Sequence, residues 1–160
     1  MRNKAEFVYV TYIHSTPEKV FNALTAPQMT RRYWAHLNVS DWKVGSPWHH
    51  EDAETGQVRV VGKVLESEPP KRLVISWAFL ADKNNAAKQT RVTFLLEPGP
   101  NAVRLTVTHE DLEPGSDMDK AIRRGWPVVL SNLKTLLETG TAMETKALFT
   151  HSRAACVRGD

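Results

Sequence analysis

The sequence has a single cysteine, Cys156, and no long apolar segment. One cysteine excludes an internal disulfide and any CxxC metal or redox motif. No apolar run reaches the roughly 18 residues that a membrane-spanning helix needs. The N-terminal residues MRNKAEFVYV also lack the apolar stretch and small-residue cleavage site of a secretory signal. We therefore expect no membrane span and take the reducing cytoplasm as the default location.

The chain has a small net charge, and its charged residues are not concentrated in one region. The 160 residues carry a formal net charge of +3, and the basic side chains are scattered, with doublets such as Arg31-Arg32 and Arg123-Arg124. A nucleic-acid surface is normally a concentrated basic stripe, so nucleic acid is not an expected partner. The sequence also lacks the GxSxG, GxxxxGK(S/T) and strand-linked GxGxxG signatures of nucleophile elbows and phosphate loops. No catalytic set or cofactor motif is visible.

What is present is a set of strand and helix patterns in a chain of 18.1 kDa, an ordinary size for one α+β domain. β-branched and aromatic residues over 6–14 predict a strand. The run Thr16-Pro17-Glu18 predicts a capped helix start, and residues 28–34 predict a second short helix. Strand patterns then follow at 37–42, 46–51, 57–68, 73–80, 91–97 and 102–110.

The last pattern is a long amphipathic helix. Ser116 is its candidate N-cap, apolar residues recur at helical spacing as far as Leu137, and Gly140 is its candidate C-cap. Strands joined by tight turns are antiparallel, and curling such a sheet around this helix buries both. We therefore predict one domain over residues 1–140 and a poorly ordered C-terminal tail over residues 141–160.

Several phrases carry a family resemblance: TYIHSTPEKVFNALTAP (11–27), RRYW (31–34), ETGQVRVVGKVLESEPPKRLVISW (54–77) and GWPVVLSNLKTLLETG (125–140). In this order they resemble the SRPBCC superfamily, which includes START lipid-transfer domains and birch-pollen-allergen-type proteins. Within it, the chain most resembles bacterial proteins similar to the activator of the 90-kDa heat-shock protein ATPase. The resemblance covers about residues 5–140.

The resemblance implies a helix-grip fold. In this fold a curved antiparallel sheet of six or seven strands wraps around a long C-terminal helix, with two short helices between strands one and two. It also implies a hydrophobic cavity between sheet and helix. Superfamily members bind lipids, hormones or polyketides, some cyclise or hydrolyse their ligands, and others bind proteins.

Five tryptophans are many for this length, and pockets for small molecules are mainly apolar and aromatic. The alternative is that the rings simply fill the core, since each buries a large area. The candidate ligand-binding set on the predicted sheet, short helix and final helix is Trp34, Trp48, Trp77, Phe79, Phe94, His109, Trp126, Val129, Leu130 and Leu133. Trp42 is a weaker candidate.

Histidines supply the candidate polar chemistry. His109 shares a strand face with apolar residues, so it could orient a ligand or act as a base at the cavity rim, but a hydrogen-bonded structural histidine is the favoured interpretation. In His49-His50-Glu51, the first and third residues share a face of the strand while His50 points away. The spacing does not resemble a zinc signature, so no metal is predicted.

Three hypotheses for function remain open. The leading one is a small-molecule binding protein with an apolar ligand under the last helix. The second is an interaction module that contacts a chaperone or forms a homodimer. The third is a cyclase or hydrolase acting on a polyketide-like ligand, for which His109, Asp41 and Glu51 are the nameable acid–base candidates.

Overall fold

A computed structural model describes residues 3–150 and contains one seven-stranded antiparallel sheet. The strand order is β1-β7-β6-β5-β4-β3-β2, so β1 and β2 lie at the two edges. In chain order the elements are β1 (Ala5–Ile13), α1 (Pro17–Thr25), α2 (Pro27–Trp34), β2 (His36–Val39), β3 (Pro47–Asp52), β4 (Val58–Glu68), β5 (Arg72–Phe79), β6 (Thr90–Gly99), β7 (Ala102–Leu112) and α3 (Asp117–Thr139). The predicted helix-grip architecture is confirmed.

The helices begin and end where local chemistry places them. The Thr16 hydroxyl accepts a hydrogen bond from the Lys19 amide at 3.3 Å, with Pro17 at the first helical position. Ser116 caps α3 in the same way through the Asp119 amide at 3.1 Å. Gly140 ends α3 with φ of 83°, a left-handed conformation that glycine adopts without steric cost.

The apolar stripe of α3 packs into the concave face of the sheet. Ile122, Trp126, Leu130 and Leu133 are all buried and belong to the same core cluster as alternating residues of the strands, such as Leu105. Each side chain of this size contributes roughly 1.5–3 kcal/mol when it is fully buried. The period of 3.6 on the helix and of two on the strands thus produces one continuous core.

β4 crosses unusually close to its neighbours at Gly62. The Trp48 indole N–H donates to the Ser76 carbonyl at 2.8 Å, directly over Gly62. A Cβ at position 62 would overlap both the Ser76 carbonyl oxygen and the Trp48 indole nitrogen. Glycine is therefore required here because there is no space for a side chain.

The first part of the predicted tail packs against the domain. Residues 145–150 are helical, Thr145 is buried and Phe149 packs against the core. The anchor is Asn132, whose amide nitrogen donates to the Thr145 hydroxyl at 3.0 Å and whose amide oxygen accepts from the Met143 amide at 2.6 Å. Residues 151–160, with Cys156, lie outside the described residues.

Candidate ligand-binding site

A cavity of about 160 Å³ lies between α3 and the strands β3, β4 and β5. Its lining is mainly apolar and consists of Trp34, His36, His50, Val60, Trp77, Phe79, Met118, Ala121, Ile122, Gly125, Trp126, Val129 and Phe149. This volume is close to that of an engineered cavity of about 150 Å³ that binds benzene, and it is below the roughly 300 Å³ at which typical drug-sized pockets begin. The space therefore accommodates a group of about one aromatic ring.

The structure divides the predicted site residues into two groups. Those that line the cavity are Trp34, Trp77, Phe79, Trp126 and Val129. Those that are buried in the core outside its lining are Trp48, Phe94, His109, Leu130 and Leu133. The two interpretations of the aromatic residues, pocket and core, therefore each apply to part of the set.

Three tryptophans from different elements form the aromatic side of the cavity. Trp34, at the end of α2, stacks on Trp77 of β5 with centroids 6.3 Å apart and planes at 19°. Trp126 of α3 tilts against both rings, with centroid distances of 5.4 Å to Trp34 and 5.6 Å to Trp77. Trp48 packs behind Trp77 at 5.1 Å and is held by its bond to the Ser76 carbonyl. This packing holds the three cavity-lining rings in fixed orientations.

His109 is not at the rim of the cavity, which is where the sequence hypothesis placed it. It is fully buried, and the Trp126 indole N–H donates to its Nδ1 at 3.1 Å. Its Nε2 donates to the Thr90 hydroxyl at 2.8 Å, and that hydroxyl in turn donates to the Trp77 carbonyl at 2.7 Å. Burial lowers the pKa of His109 to about 3. His109 is thus a neutral structural residue, as the favoured interpretation predicted.

His36 and His50 are the polar residues that the cavity does contain, and the sequence interpretation missed them as site residues. Their rings stack with centroids 4.1 Å apart and planes at 9°. His50 is 5% exposed and contacts the edge of Trp34 at 5.0 Å. Burial lowers the pKa of His50 well below its ordinary value, and the nearby His36 lowers it further. The available signal was the alternation of β3, which places His50 on the same face as Trp48.

The other named acid–base candidates do not reach the cavity. His49 and Glu51 face away from His50, as predicted, and pair with each other at 3.2 Å. Asp41 is exposed, and hydrogen bonds from Ser46 and the Lys43 amide lower the pKa of its carboxyl group. Over residues 3–150, no group of three or more His, Cys, Asp or Glu side chains is arranged to hold a metal ion.

Phe149 and His36 separate the cavity from a larger outer groove of about 520 Å³. The groove is polar and includes Arg31, Glu54 and Lys146, of which the last two form an ion pair. Sequence reasoning missed Phe149 because its segment was assigned to the tail. The signal was Asn132, a polar residue on the apolar stripe of α3, since a buried amide needs hydrogen-bond partners from another segment.

The fold and the cavity under α3 define the chain as a helix-grip protein of the SRPBCC type. A sequence model for the family described as Activator of Hsp90 ATPase homolog 1-like protein matches residues 14–138. The chain belongs to this family, which confirms the resemblance found in the sequence. No curated protein matches the sequence significantly.

Solved structures share the fold. Protein MLL2253 from Mesorhizobium loti is 27% identical over 84% of this chain and 97% of its own, with a TM-score of 0.70. The Aha1 dimer from Colwellia psychrerythraea is 24% identical over 85% of this chain and 98% of its own, with a TM-score of 0.70. PFC0360w from Plasmodium falciparum, described as an HSP90 activator, is 24% identical over 83% of this chain and 96% of its own, with a TM-score of 0.68. At 24% identity the likeness shows the fold alone.

None of the helices in the described part of the chain combines the length and apolar character that crossing a membrane requires.

Proposed function

We propose that this protein binds a small molecule whose apolar or aromatic group occupies the cavity under α3. The observation that carries the proposal is the unfilled volume of about 160 Å³ between Trp34, Trp77 and Trp126. Protein cores are otherwise packed with few voids larger than a water molecule. The cavity opens at a mouth, so a bound apolar group would displace water from the aromatic lining and gain packing contacts with it.

The outer groove supports a ligand larger than one ring. Beside the mouth formed by His36 and Phe149 it carries charged groups of both signs, Arg31 and Lys146 with Asp52 and Glu54. An amphipathic ligand would place its apolar end in the cavity and its polar end in this groove. Phe149 is half-buried, and its segment is joined to the domain through Asn132 and the Lys146–Glu54 ion pair. Its ring is therefore the part of the mouth that a longer ligand would displace.

Toluene is a suitable probe because it has the size of the cavity and no hydrogen-bonding group. We expect saturation-transfer NMR to detect toluene bound to the wild type. Ala121→Phe places a ring into the cavity and should abolish the signal, whereas Lys120→Phe, at the exposed neighbouring position, should not. Absence of toluene binding to the wild type, or equal binding to the Ala121→Phe variant, would contradict the proposal.

A second candidate is protein interaction through the outer face of β1. Val8, Val10 and Tyr12 on this edge strand are 49%, 41% and 59% exposed. An apolar row at a sheet edge is a common contact surface. Light scattering after size exclusion, and titration with purified 90-kDa heat-shock protein, would test a second copy and a chaperone as partners. A monomer that does not bind the chaperone, with a Val10→Lys variant behaving identically, would remove this candidate.

A further inference from the structure

The polar end of the cavity is the stacked pair His36 and His50. These histidines come from the neighbouring strands β2 and β3, where Asn38 is the register partner of His50. The Nδ1 of His36 lies 2.9 Å from the Trp34 carbonyl oxygen. The Nδ1 of His50 lies 2.5 Å from the Asn38 side-chain oxygen, and Asn38 is itself buried. Each ring is therefore held through the same nitrogen.

These contacts determine which nitrogen carries the proton. A carbonyl oxygen only accepts hydrogen bonds, so Nδ1 must be the N–H donor in both rings. In a neutral imidazole the other nitrogen, Nε2, is then an acceptor with a free lone pair. His109 has the opposite arrangement, because its Nδ1 accepts from Trp126 and its Nε2 carries the proton. The tautomers of these histidines thus follow from their fixed partners.

The Nε2 atom of His50 has no hydrogen-bond partner within residues 3–150. The fully enclosed side-chain polar atoms without a hydrogen-bond partner in this part of the chain are Arg91 Nε and Thr106 Oγ1. His50 Nε2 is not among them although the residue is 5% exposed, so it reaches open space, and the space that His50 lines is the cavity. A buried acceptor without a partner is costly, by the equivalent of a several-fold change in an equilibrium constant. This nitrogen therefore needs a donor in the cavity, which is water in the free protein and a ligand group when one is bound.

The surroundings specify what kind of donor fits. Around His50 the lining consists of Trp34, Trp77 and Val60. The indole N–H groups of Trp34 and Trp77 have no acceptor among residues 3–150, so a ligand oxygen can accept from them while a ligand O–H donates to His50. A neutral ring with one O–H group matches this arrangement, because the ring packs against tryptophan faces and the hydroxyl meets the lone pair. A carboxylate does not match Nε2 of His50, because its oxygens and this nitrogen are both acceptors.

We propose that the cavity recognises a neutral hydroxylated aromatic ring, such as a phenol or an aryl alcohol, whose O–H donates to Nε2 of His50. The ring of the ligand lies between Trp34, Trp77 and Trp126. His36 stacks on the His50 ring and fixes its orientation. This inference rests on the proposed function, since it names the class of molecule that the same cavity takes. It assigns to His50 the role of determining specificity by hydrogen bonding.

Three probes of similar size separate the contribution of the hydroxyl group from that of the ring: 4-fluorophenol, 4-fluorotoluene and 4-fluorobenzoate. Binding of each to the full chain is measured by ¹⁹F NMR. We expect 4-fluorophenol to bind, and 4-fluorobenzoate to bind most weakly. His50→Phe should weaken 4-fluorophenol about fivefold, the size of one net hydrogen bond, and leave 4-fluorotoluene unchanged or slightly tighter. His49→Phe is the matched control, since His49 lies next in sequence on the opposite face, and it should alter neither.

Each outcome decides between the two proposals. If both neutral probes bind and His50→Phe weakens them equally, the hydroxyl inference is wrong and the binding function stands. If 4-fluorobenzoate binds more tightly than 4-fluorophenol, the inference is also wrong. If no probe binds the wild type, both proposals fail together.

A measurement on the unaltered protein covers the case in which His50→Phe does not fold. Imidazole ¹⁵N spectra should show Nδ1 of His50 protonated and Nε2 unprotonated in the free protein. Adding 4-fluorophenol should shift Nε2 of His50 toward a hydrogen-bonded position and leave Nδ1 in place, whereas 4-fluorotoluene should shift neither. A protonated Nε2 in the free protein, or equal effects of the two probes, would overturn the inference.

Discussion

Two buried histidines flank the same tryptophan and differ in how many partners they have. His109 lies 5.6 Å from Trp77 and His50 lies 5.8 Å from it, both measured between ring centroids. Both nitrogens of His109 are hydrogen-bonded within the protein. His50 has one bonded nitrogen, and its other nitrogen belongs to the lining of the cavity.

The difference shows that burial alone does not tell a structural histidine from a binding one. We call the packed surroundings of His109, with Trp48 and Gly62, the sealed region, and the surroundings of His50, with Gly125 and Phe149, the open region. In the sealed region a methyl group added at Gly62 would overlap other atoms, and the Trp48 indole and both nitrogens of His109 have hydrogen-bond partners. In the open region the cavity has space for additional atoms, and Nε2 of His50 has a lone pair that can accept a hydrogen bond. The following predictions test this contrast.

The same substitution should have opposite effects in the two regions. Gly62→Ala inserts a methyl group against the Ser76 backbone and the Trp48 indole, and we expect it to lower the free energy of unfolding by about 3 kcal/mol. Gly125→Ala meets no neighbouring atom within 4 Å and lies inside α3, so it should raise that free energy by about 0.5–1 kcal/mol. Urea denaturation of both variants measures the contrast. Equal effects of the two substitutions would contradict it.

Acid should destabilise the fold through its neutral histidines. The folded pKa of His109 is about 3 against roughly 6.5 in an unfolded chain, so its contribution is complete above pH 6.5 and is lost as pH falls toward 3. Between pH 6.5 and 5 this amounts to about 2 kcal/mol for His109, and His50 acts in the same direction. Urea midpoints at several pH values measure the slope. His109→Leu should have a shallower slope than the wild type, and parallel curves would show that His109 titrates normally.

Asn132 should control whether the mouth is covered. Asn132→Leu leaves the Met143 amide and the Tyr33 carbonyl without their partner, and we expect a loss of about 1.5 kcal/mol. Hydrogen exchange should then speed up at residues 143–149 more than in the sheet. Ser131→Leu, on the exposed face of the same helix, is the control. Unchanged exchange in the Asn132 variant would show that the segment is held by other contacts.

Phe149 should affect the ligand range more than the stability. Because its ring is half-buried, Phe149→Ala should lower the free energy of unfolding by less than about 1 kcal/mol. The same change joins the cavity to the outer groove, so two-ring probes such as naphthol should bind more tightly. Calorimetric titration of naphthol against the wild type and the variant measures this. A variant that loses affinity for every probe would show that Phe149 binds the ligand and does not obstruct it.

Much of the fold was predictable because its signals are local. The caps at Thr16, Ser116 and Gly140 were predicted correctly, and the strand patterns coincide with the strands to within a few residues. The main difference was the predicted strand over residues 37–42, because β2 (His36–Val39) contains only residues 37–39 of it. Trp42 leaves the strand with φ of 59°, and its indole donates to the Thr25 carbonyl. A contact with a residue of α1 is a tertiary interaction that strand propensity does not contain.

The site was less predictable because the depth at which a side chain is buried, and the residues that it contacts, do not follow the periodicity of the sequence. Alternation placed Trp77, Phe79 and Phe94 on inward faces, yet it could not tell which of them border a void. His109 and His50 both lie on inward strand positions, and only the approach of Trp126 and Thr90 to one of them distinguishes the two. Phe149 lies beyond the predicted end of the domain, and the hydrogen bonds of Asn132 bring it back.

The amino-acid sequence alone determined the element types, the family and the apolar, tryptophan-rich character of the interior, because these depend on spacing and composition along the chain. The tertiary structure decided that about 160 Å³ stays open, that His109 is sealed and that His50 faces the opening. The physical reason is that a void and a free lone pair are defined by atoms from many separate elements, here α2, β2, β3, β4, β5, α3 and the helical residues 145–150. Their positions follow only when the helix, the sheet and the segment after Gly140 are packed together.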